Sequence, residues 1–275
     1  MEKIKNLKKY RFLILRRVIQ VAILVAFAVC AHYSYRFFQG NLNQSTVFWV
    51  VPMSDLLSIA QIFLAGGIIG VEAILGFIIV LFIYGAILGR GYCAFVCPMN
   101  IITDFANFLR RIFLQTNAPK KLNVAKRAKY GVLALSLMLS FILGTAAFDL
   151  ISPISMLHRG IIFGMGFGVF GILCVFLFDL FFVKNGFCGY ICPLGAVYGL
   201  VGKFSLIKIR HNHTKCTKCD KCIVICPESQ VLSMIGKRSG TINGVDCIKC
   251  GRCIEVCSEG ALQFGIYDKL KGEKK

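Results

Sequence analysis

Four apolar runs, separated by charged or glycine-rich stretches, set the rhythm of this chain at residues 18–38, 68–88, 129–148 and 161–183. Each is close to the ~20 residues that a helix needs to cross the hydrocarbon core of a bilayer. A further apolar stretch, 45–67, is interrupted by Pro52, Ser54, Asp55 and Gln61 and is predicted to lie at the outer interface or to re-enter rather than span. Gly160, Gly164 and Gly168 recur every four residues in the fourth run, the spacing of a close helix–helix contact. From Lys208 onward the chain turns polar and its apolar segments shorten, which predicts a separate, small α+β domain. The expected division is a helical membrane domain over 1–207 and a compact second domain over 208–275.

Composition points the same way, because 57% apolar residues and 24 Phe among 275 cannot be enclosed in one soluble core of this size. The first run has no small-residue cleavage site after it but His32, Tyr33, Tyr35 and Arg36, so it reads as a span rather than a removable leader. The net charge of +19 is distributed as a topology signal: seven Lys/Arg precede the first run, eight lie within 90–129 and fifteen follow the fourth. Only Arg36 and Arg159 fall in the other connections. The positive-inside bias therefore puts both termini in the cytoplasm and turns the connections 39–67 and 149–160 outward. No base-reading module accompanies the charge, which argues against nucleic acid as a partner.

Eight of the fourteen cysteines fall in the last sixty residues, as Cys216-x2-Cys219-x2-Cys222-x3-Cys226-Pro227 and Cys247-x2-Cys250-x2-Cys253-x3-Cys257. This is the ligand spacing of a pair of [4Fe–4S] clusters, in which the fourth cysteine of each run reaches across to the other cluster. One set is then Cys216, Cys219, Cys222 and Cys257, and the other Cys247, Cys250, Cys253 and Cys226. Structural zinc takes four ligands, usually as two separated pairs, and fits two compressed runs of four poorly. Disulfides are disfavoured because the basic tail belongs in the reducing cytoplasm. The fold class expected is a membrane all-α domain, with four transmembrane helices in two pseudo-repeated hairpins, followed by a C-terminal α+β domain holding two clusters. Paired clusters chiefly transfer single electrons, so the question becomes what the electrons pass between.

Each outward connection holds a Pro-x-Ser pattern, at Pro52 and Pro153, and each following apolar run ends in Gly-aromatic-Cys-x3-Cys-Pro. The two motifs, Cys93 with Cys97 and Cys188 with Cys192, indicate a duplication whose halves pack about a pseudo-twofold axis along the membrane normal. Their four thiols could bind a third metal, cycle as dithiols or simply pack at helix ends. Cys30 and Cys174 belong to no motif and are expected to be core residues. Asp179, late in the fourth run, is a candidate helix cap, partner of Lys184 or proton relay. Oxidising a quinol, such as menaquinol, releases two protons and needs groups that accept them. Ionisable residues near the outer ends of the runs are the candidates: His32, Arg36, Asp55, Glu72, Asp149 and His158.

Residue by residue, the chain resembles the NapH family, the membrane-bound iron–sulfur quinol dehydrogenase component associated with periplasmic nitrate reductase. The resemblance rests on Leu15-Arg16-Arg17, on Cys97-Pro98-Met99-Asn100 through Thr103-Asp104, and on Asn107-Phe108-Leu109-Arg110-Arg111. It continues through Pro153-Ile154-Ser155, Leu177-Phe178-Asp179-Leu180, Cys192-Pro193-Leu194-Gly195-Ala196 and both cysteine runs, including Ser258 where many ferredoxins have proline. It implies a multi-pass protein of a bacterial cytoplasmic membrane that draws electrons from the quinone pool. It also implies delivery to a periplasmic ferredoxin-type partner of the NapG kind and then to the reductase. The same Cys-x3-Cys-Pro pairs are similar to those of nitrous-oxide-reductase-associated proteins and of a copper-handling assembly oxidoreductase, so the alternatives are a redox role in maturing a periplasmic or membrane metalloenzyme, or the equivalent subunit of a nitrous oxide reductase system.

Overall fold

The computed structural model describes residues 10–32, 38–40, 44–47, 51–113, 128–163, 166 and 168–266. It comprises two compact units, one formed by Met1–Ile19, Ile83–Val96 and Tyr198–Lys275 and the other by Gln20–Phe82 and Cys97–Val197. Helix α1 (Arg11–His32) contains neither Gly nor Pro and starts seven residues before the apolar run. Its early start has a local cause. The Glu255 carboxylate accepts the backbone N–H groups of Phe12 and Leu13 at 2.6 and 2.9 Å, satisfying donors that a helix start otherwise leaves open. Arg11, Arg16 and Arg17, which hydropathy leaves outside the span, are thereby inside the helix.

The stretch expected to re-enter folds differently. It contributes to an antiparallel meander of β1 (Phe38–Gly40), β2 (Gln44–Val47) and β3 (Val51–Ser54), with Phe38 opposite Val47 and Gln44 opposite Ser54. Pro52 lies in β3, an edge strand, where a missing N–H costs no ladder bond. Asp55 then caps α2 (Leu56–Leu64), accepting the N–H of Leu57 and Ser58 at 3.1 and 3.3 Å. The all-α expectation for this part of the chain is corrected by this one small sheet.

Helix α3 (Val71–Leu81) runs on as a π-helical segment, Phe82–Leu88, and ends at Gly89, whose φ of +56° is the left-handed stop that glycine allows. The short α4 (Gly91–Phe95) follows, then α5 (Met99–Phe113). Arg11–Cys30 and Val71–Leu88 are long and apolar enough to cross a membrane, and only 17% and 11% of those windows are buried. The third and fourth expected spans are shorter apolar helices. Helix α6 (Ala128–Leu143) stops at Gly144, φ +63°, before α7 (Ala147–Ile151). The glycine-rich fourth run is split between α8 (Pro153–Phe163) and α9 (Gly168–Phe181). A Cβ on Gly168 or Gly171 would come within 3.1 Å of Met156 in α8, so these glycines do mark a close approach of helices; Gly164 lies outside the described residues. Leu135, Met138 and Phe141 of α6 and Phe170 and Leu173 of α9 are exposed, while Lys129, Ser136, Ser140 and Asp179 are buried. Cys174 is exposed and Cys30 half-buried, so neither is the core residue expected.

The cysteine-rich tail follows α10 (Pro193–Val201), which proline starts at a position where its missing N–H is harmless. Strand β4 (Ile207–His211) is central, pairing antiparallel with β5 (Gly240–Thr241) and β6 (Leu262–Ile266). Two short helices, α11 (Lys221–Ile225) and α12 (Arg252–Glu255), pack together beside the sheet. The core joins Ile209, Leu232, Ile242 and Leu262 to Cys222 and Cys253. Just after α10, a Cβ on Gly202 would lie 2.7 Å from Gly89 Cα and 3.0 Å from the Arg90 nitrogen, backbone that cannot yield. Gly202→Ala should therefore lower stability by ~1–3 kcal/mol, read as an earlier thermal transition of the detergent-solubilised protein.

Candidate iron–sulfur site

The two cysteine runs adopt one local turn twice. Lys218 and Lys249, each just before the second cysteine of its run, share φ +54°, and Asp220 and Gly251, just after it, have φ +54° and +77°. Left-handed residues at these places curl Cys-x2-Cys-x2-Cys so that its thiols turn inward, and α11 and α12 start immediately afterwards. The backbone N–H of Lys221 faces the Cys219 thiol, that of Lys249 faces Cys247 and that of Glu228 faces Cys226.

The fourth cysteine of each run crosses over. Cys216, Cys219, Cys222 and Cys257 line one cavity. Cys257 and Cys216 both act on the Cys222 thiol, which burial pushes up. On the other side burial pushes Cys226 up to about 12, with Cys250 and Cys247 adding to the effect, and pushes Cys247 up to about 11. Cys253 is raised well above its usual value by burial and then by Cys250, Cys247 and Cys226. Cys219, at the surface, is instead lowered by the Lys221 N–H and the Thr217 hydroxyl. Thiols gathered this closely and away from water keep their protons unless a cation replaces them, which is the condition that iron meets. The two crossed sets of four fit two [4Fe–4S] clusters.

Arg90, which the cysteine pattern did not single out, holds both runs. Its guanidinium is buried, donates to the Asp246 carbonyl at 3.0 Å, and lies 3.5 Å from the Asp246 carboxylate and 3.8 Å from that of Glu228. Asp246 directly precedes Cys247 and Glu228 follows Cys226-Pro227, so one cation gathers the ends of one ligand set. Cys93 and Phe95 pack against Ala94, Ile248 and Cys250, bringing the first Cys-x3-Cys-Pro motif to the same set. Lys249, hydrogen-bonded to Ser205, is pushed down to about 8 by burial.

In the other unit, Cys97 and Cys192 are buried and Cys188 half-buried. The second motif forms a π-helical turn, Phe187–Ile191, closed by a Cys192 N–H to Phe187 carbonyl bond of 2.9 Å. Asp179 accepts the Phe187 N–H at 3.0 Å at the start of this turn, as a cap does. The polar face of α5 supports the same turn: Asn107 donates to Asn185, and Arg110 reaches the carbonyls of Asp179 and Phe182 at 3.5 Å. Residues 100, 103, 107 and 110 recur at helical spacing, a signal in the sequence that hydropathy alone overlooks.

Of the residues expected at the outer face, Asp55 and Asp149 are linked through Ser58. Ser58, in the turn that Asp55 caps, donates to Asp149 Oδ2 at 2.7 Å, and Gln61 one turn on is fully buried with neither amide atom hydrogen-bonded. His32 and Glu72 are exposed. Arg36 and the side chain of His158 lie outside the described residues.

Arg90→Ala would leave the buried Glu228 and the half-buried Asp246 without their shared cation, a loss of ~1–3 kcal/mol, and should release iron from the set that includes Cys226 and Cys247 before the other. Iron analysis with electron paramagnetic resonance measures this. The same measurement on Cys226→Ser and Cys257→Ser should show each substitution damaging mainly the cluster of the other run.

Comparison with known proteins matches residues 69–114 and again 165–211 to the family described as a 4Fe-4S binding domain, and 208–258 to a 4Fe-4S dicluster domain. The double match is the duplication inferred from the two motifs. The methylamine utilization ferredoxin-type protein MauN of Paracoccus denitrificans is 37% identical over 236 residues, covering 86% of this chain and 82% of the relative. The ferredoxin-type protein NapH of Escherichia coli is 35% identical over 226 residues, 82% and 78% of the two chains. NapH of Haemophilus influenzae is 34% identical over 223 residues, 81% and 77%. No solved structure matches. With crossed cysteine sets, a repeated membrane motif and relatives of this identity along most of their length, the chain belongs to the NapH and MauN family of ferredoxin-type electron-transfer proteins.

Proposed function

We propose that this protein is the membrane-embedded electron relay of a quinol-oxidising system. The observation that carries the reading is the packing of Cys93 and Phe95 against Ile248 and Cys250, because it joins a membrane-helix motif to one of the two cluster-ligand sets. When bound, each [4Fe–4S] cluster supplies reversible one-electron uptake. Quinol oxidation yields quinone, two protons and two electrons, one electron for each cluster. Asp55 and Asp149, joined through Ser58, are the carboxylates best placed to take the protons, and the unpartnered Gln61 amide offers both a donor and an acceptor to a quinol head group. Cys93, Cys97, Cys188 and Cys192 are assigned to the electron path, as redox-active thiols or a further centre.

Four membrane crossings, with α6 and α9 as the shorter two, are supported by the outward apolar and inward polar faces of those helices, which suit lipid and not water. The Glu255 cap on α1 and the Arg90 grip at the end of α3 support a cytoplasmic tail beside the N-terminus, as the basic residues require. The NapH resemblance points to a periplasmic ferredoxin-type partner and nitrate reductase as the destination. The name MauN attaches methylamine utilization to a relative.

Incorporated into liposomes with its clusters intact, the protein should be reduced by added quinol, followed as bleaching of cluster absorbance under anaerobic conditions. Absence of reduction would overturn the relay reading and favour a maturation role. Serine at any of Cys93, Cys97, Cys188 or Cys192 should slow this reduction while leaving the tail's iron content unchanged. Reporter fusions after Lys121 and at the C-terminus should register inside, and one at Asn43 outside.

A further inference from the structure

Between α10 and β4 the cysteine-rich unit turns three apolar side chains outward, Leu200, Phe204 and Leu206, and Phe204 is 79% exposed. They flank a short turn, Gly202–Phe204, whose backbone is fixed. The Gly202 carbonyl accepts both the N–H and the hydroxyl of Ser205, at 3.2 and 2.7 Å, and the Lys203 carbonyl accepts the Lys208 ammonium at 3.2 Å. Lys203 is itself exposed beside Phe204. The same turn is pinned to the end of an apolar helix. A helix leaves its last carbonyls without partners of its own, and that of Ala86 accepts the Leu206 N–H at 2.8 Å. The apolar window Val71–Leu88 has 18 residues, ~27 Å at the helical rise and close to the thickness of bilayer hydrocarbon. Ala86 is two residues from its end, which puts the Leu206 backbone within ~3 Å of that level and Phe204, two residues further, within ~10 Å. An exposed aromatic ring at that level meets neither bulk water nor the bilayer centre.

We propose that Leu200, Phe204 and Leu206 dip into the boundary between acyl chains and headgroups at this end of the span, and that Lys203 binds the phosphate of an anionic phospholipid there. The inference rests on the reading of Val71–Leu88 as a membrane span. Aromatic rings are favoured at this depth, and a lysine keeps its stem among acyl chains while its ammonium reaches the headgroups. The basic residues make this the cytoplasmic leaflet, whose anionic lipids complement them. Lipid, rather than a protein partner, is the occupant because the patch continues the exposed apolar surface of the helix that holds it: Ile87, next to Ala86, is 38% exposed. The contact bears on the ligand loops, since Ser205 accepts a hydrogen bond from Lys249, the residue before Cys250. Lipid seated on the turn thereby steadies the backbone beside one cysteine set.

The test uses the full chain, with Trp49→Phe removing its one native tryptophan, in vesicles of phosphatidylcholine and phosphatidylglycerol. In that background Phe204→Trp should lose emission to lipid brominated near the headgroup more than to lipid brominated near the chain ends, and should resist acrylamide added to the water. Ile78→Trp, near the middle of the span and 52% exposed, is the control and should show the reverse order for the two lipids. When only phosphatidylglycerol is brominated and is kept a minority, Lys203 should concentrate it about fivefold around the Phe204→Trp indole, as one lysine at an anionic surface provides. Lys203→Gln should remove that excess. A Phe204→Trp indole quenched by acrylamide and not by brominated lipid stands in water, and one quenched by neither is covered by protein, a second copy included; either result overturns the proposal. Equal quenching by phosphatidylglycerol with lysine and with glutamine overturns the headgroup contact. An Ile78→Trp indole untouched by brominated lipid would overturn the span reading itself, so the two failures are distinguishable.

Discussion

The buried guanidinium of Arg90 is the interaction on which the cysteine-rich unit depends. A cation removed from water must be repaid by close, hydrogen-bonded anions, and Arg90 finds them at Asp246 and Glu228, on either side of the gap between the two cysteine runs. Asp246 is drawn further into place by Gln230, which donates to its carboxylate at 2.8 Å. Because Gly89 and Gly202 meet backbone to backbone just before Arg90, the side chain leaves a fixed point. The ligand loops are thus held from a helix end rather than by their own short sheet. A segment this small cannot bury enough apolar surface to stand on packing alone, which is why ionic and metal links carry so much of its order.

Elsewhere the chain inverts the polarity of a soluble protein. Serine, asparagine, lysine and aspartate side chains face inward from α5, α6 and α9 while leucine and phenylalanine face out. In lipid there is no hydrophobic force between helices, so close contact comes from small residues and from hydrogen bonds between buried polar groups. Both appear here: Gly168 and Gly171 admit Met156, and Asp179, Asn107, Asn185 and Arg110 form the polar contacts that fix the second cysteine turn. The π-helical geometry at Phe187–Ile191 and Phe82–Leu88 places the extra residue of a widened turn at or just before each Cys-x3-Cys-Pro motif, as such bulges often do at functional sites.

Duplication explains why function concentrates at two levels. One repeated feature, the cysteine motif, lies at the ends of the apolar runs, and the other, Pro-x-Ser, lies in the connections that precede them. Asp55 directly follows the first Pro-x-Ser and Asp149 shortly precedes the second, and Ser58 brings them together.

Spacing alone determined the ligand chemistry. Eight cysteines at two- and three-residue intervals pointed to a 4Fe-4S binding domain because the turn they share is local, and its left-handed residues recur at matching positions in both runs. Apolar length likewise determined α1 and α3, whose exposed faces need no partner to be recognised. Local patterns could not reveal where helices stop when glycine interrupts them, as at Gly144, nor that Pro52 would lie in an edge strand whose ladder can spare an N–H. Only the tertiary structure decided Arg90, Asn107 and Ser58, since each acquires its role from a residue far away in the chain. Hydrogen bonds and ion pairs act over a few ångströms in space, and sequence order carries no record of which distant groups will be brought within that reach.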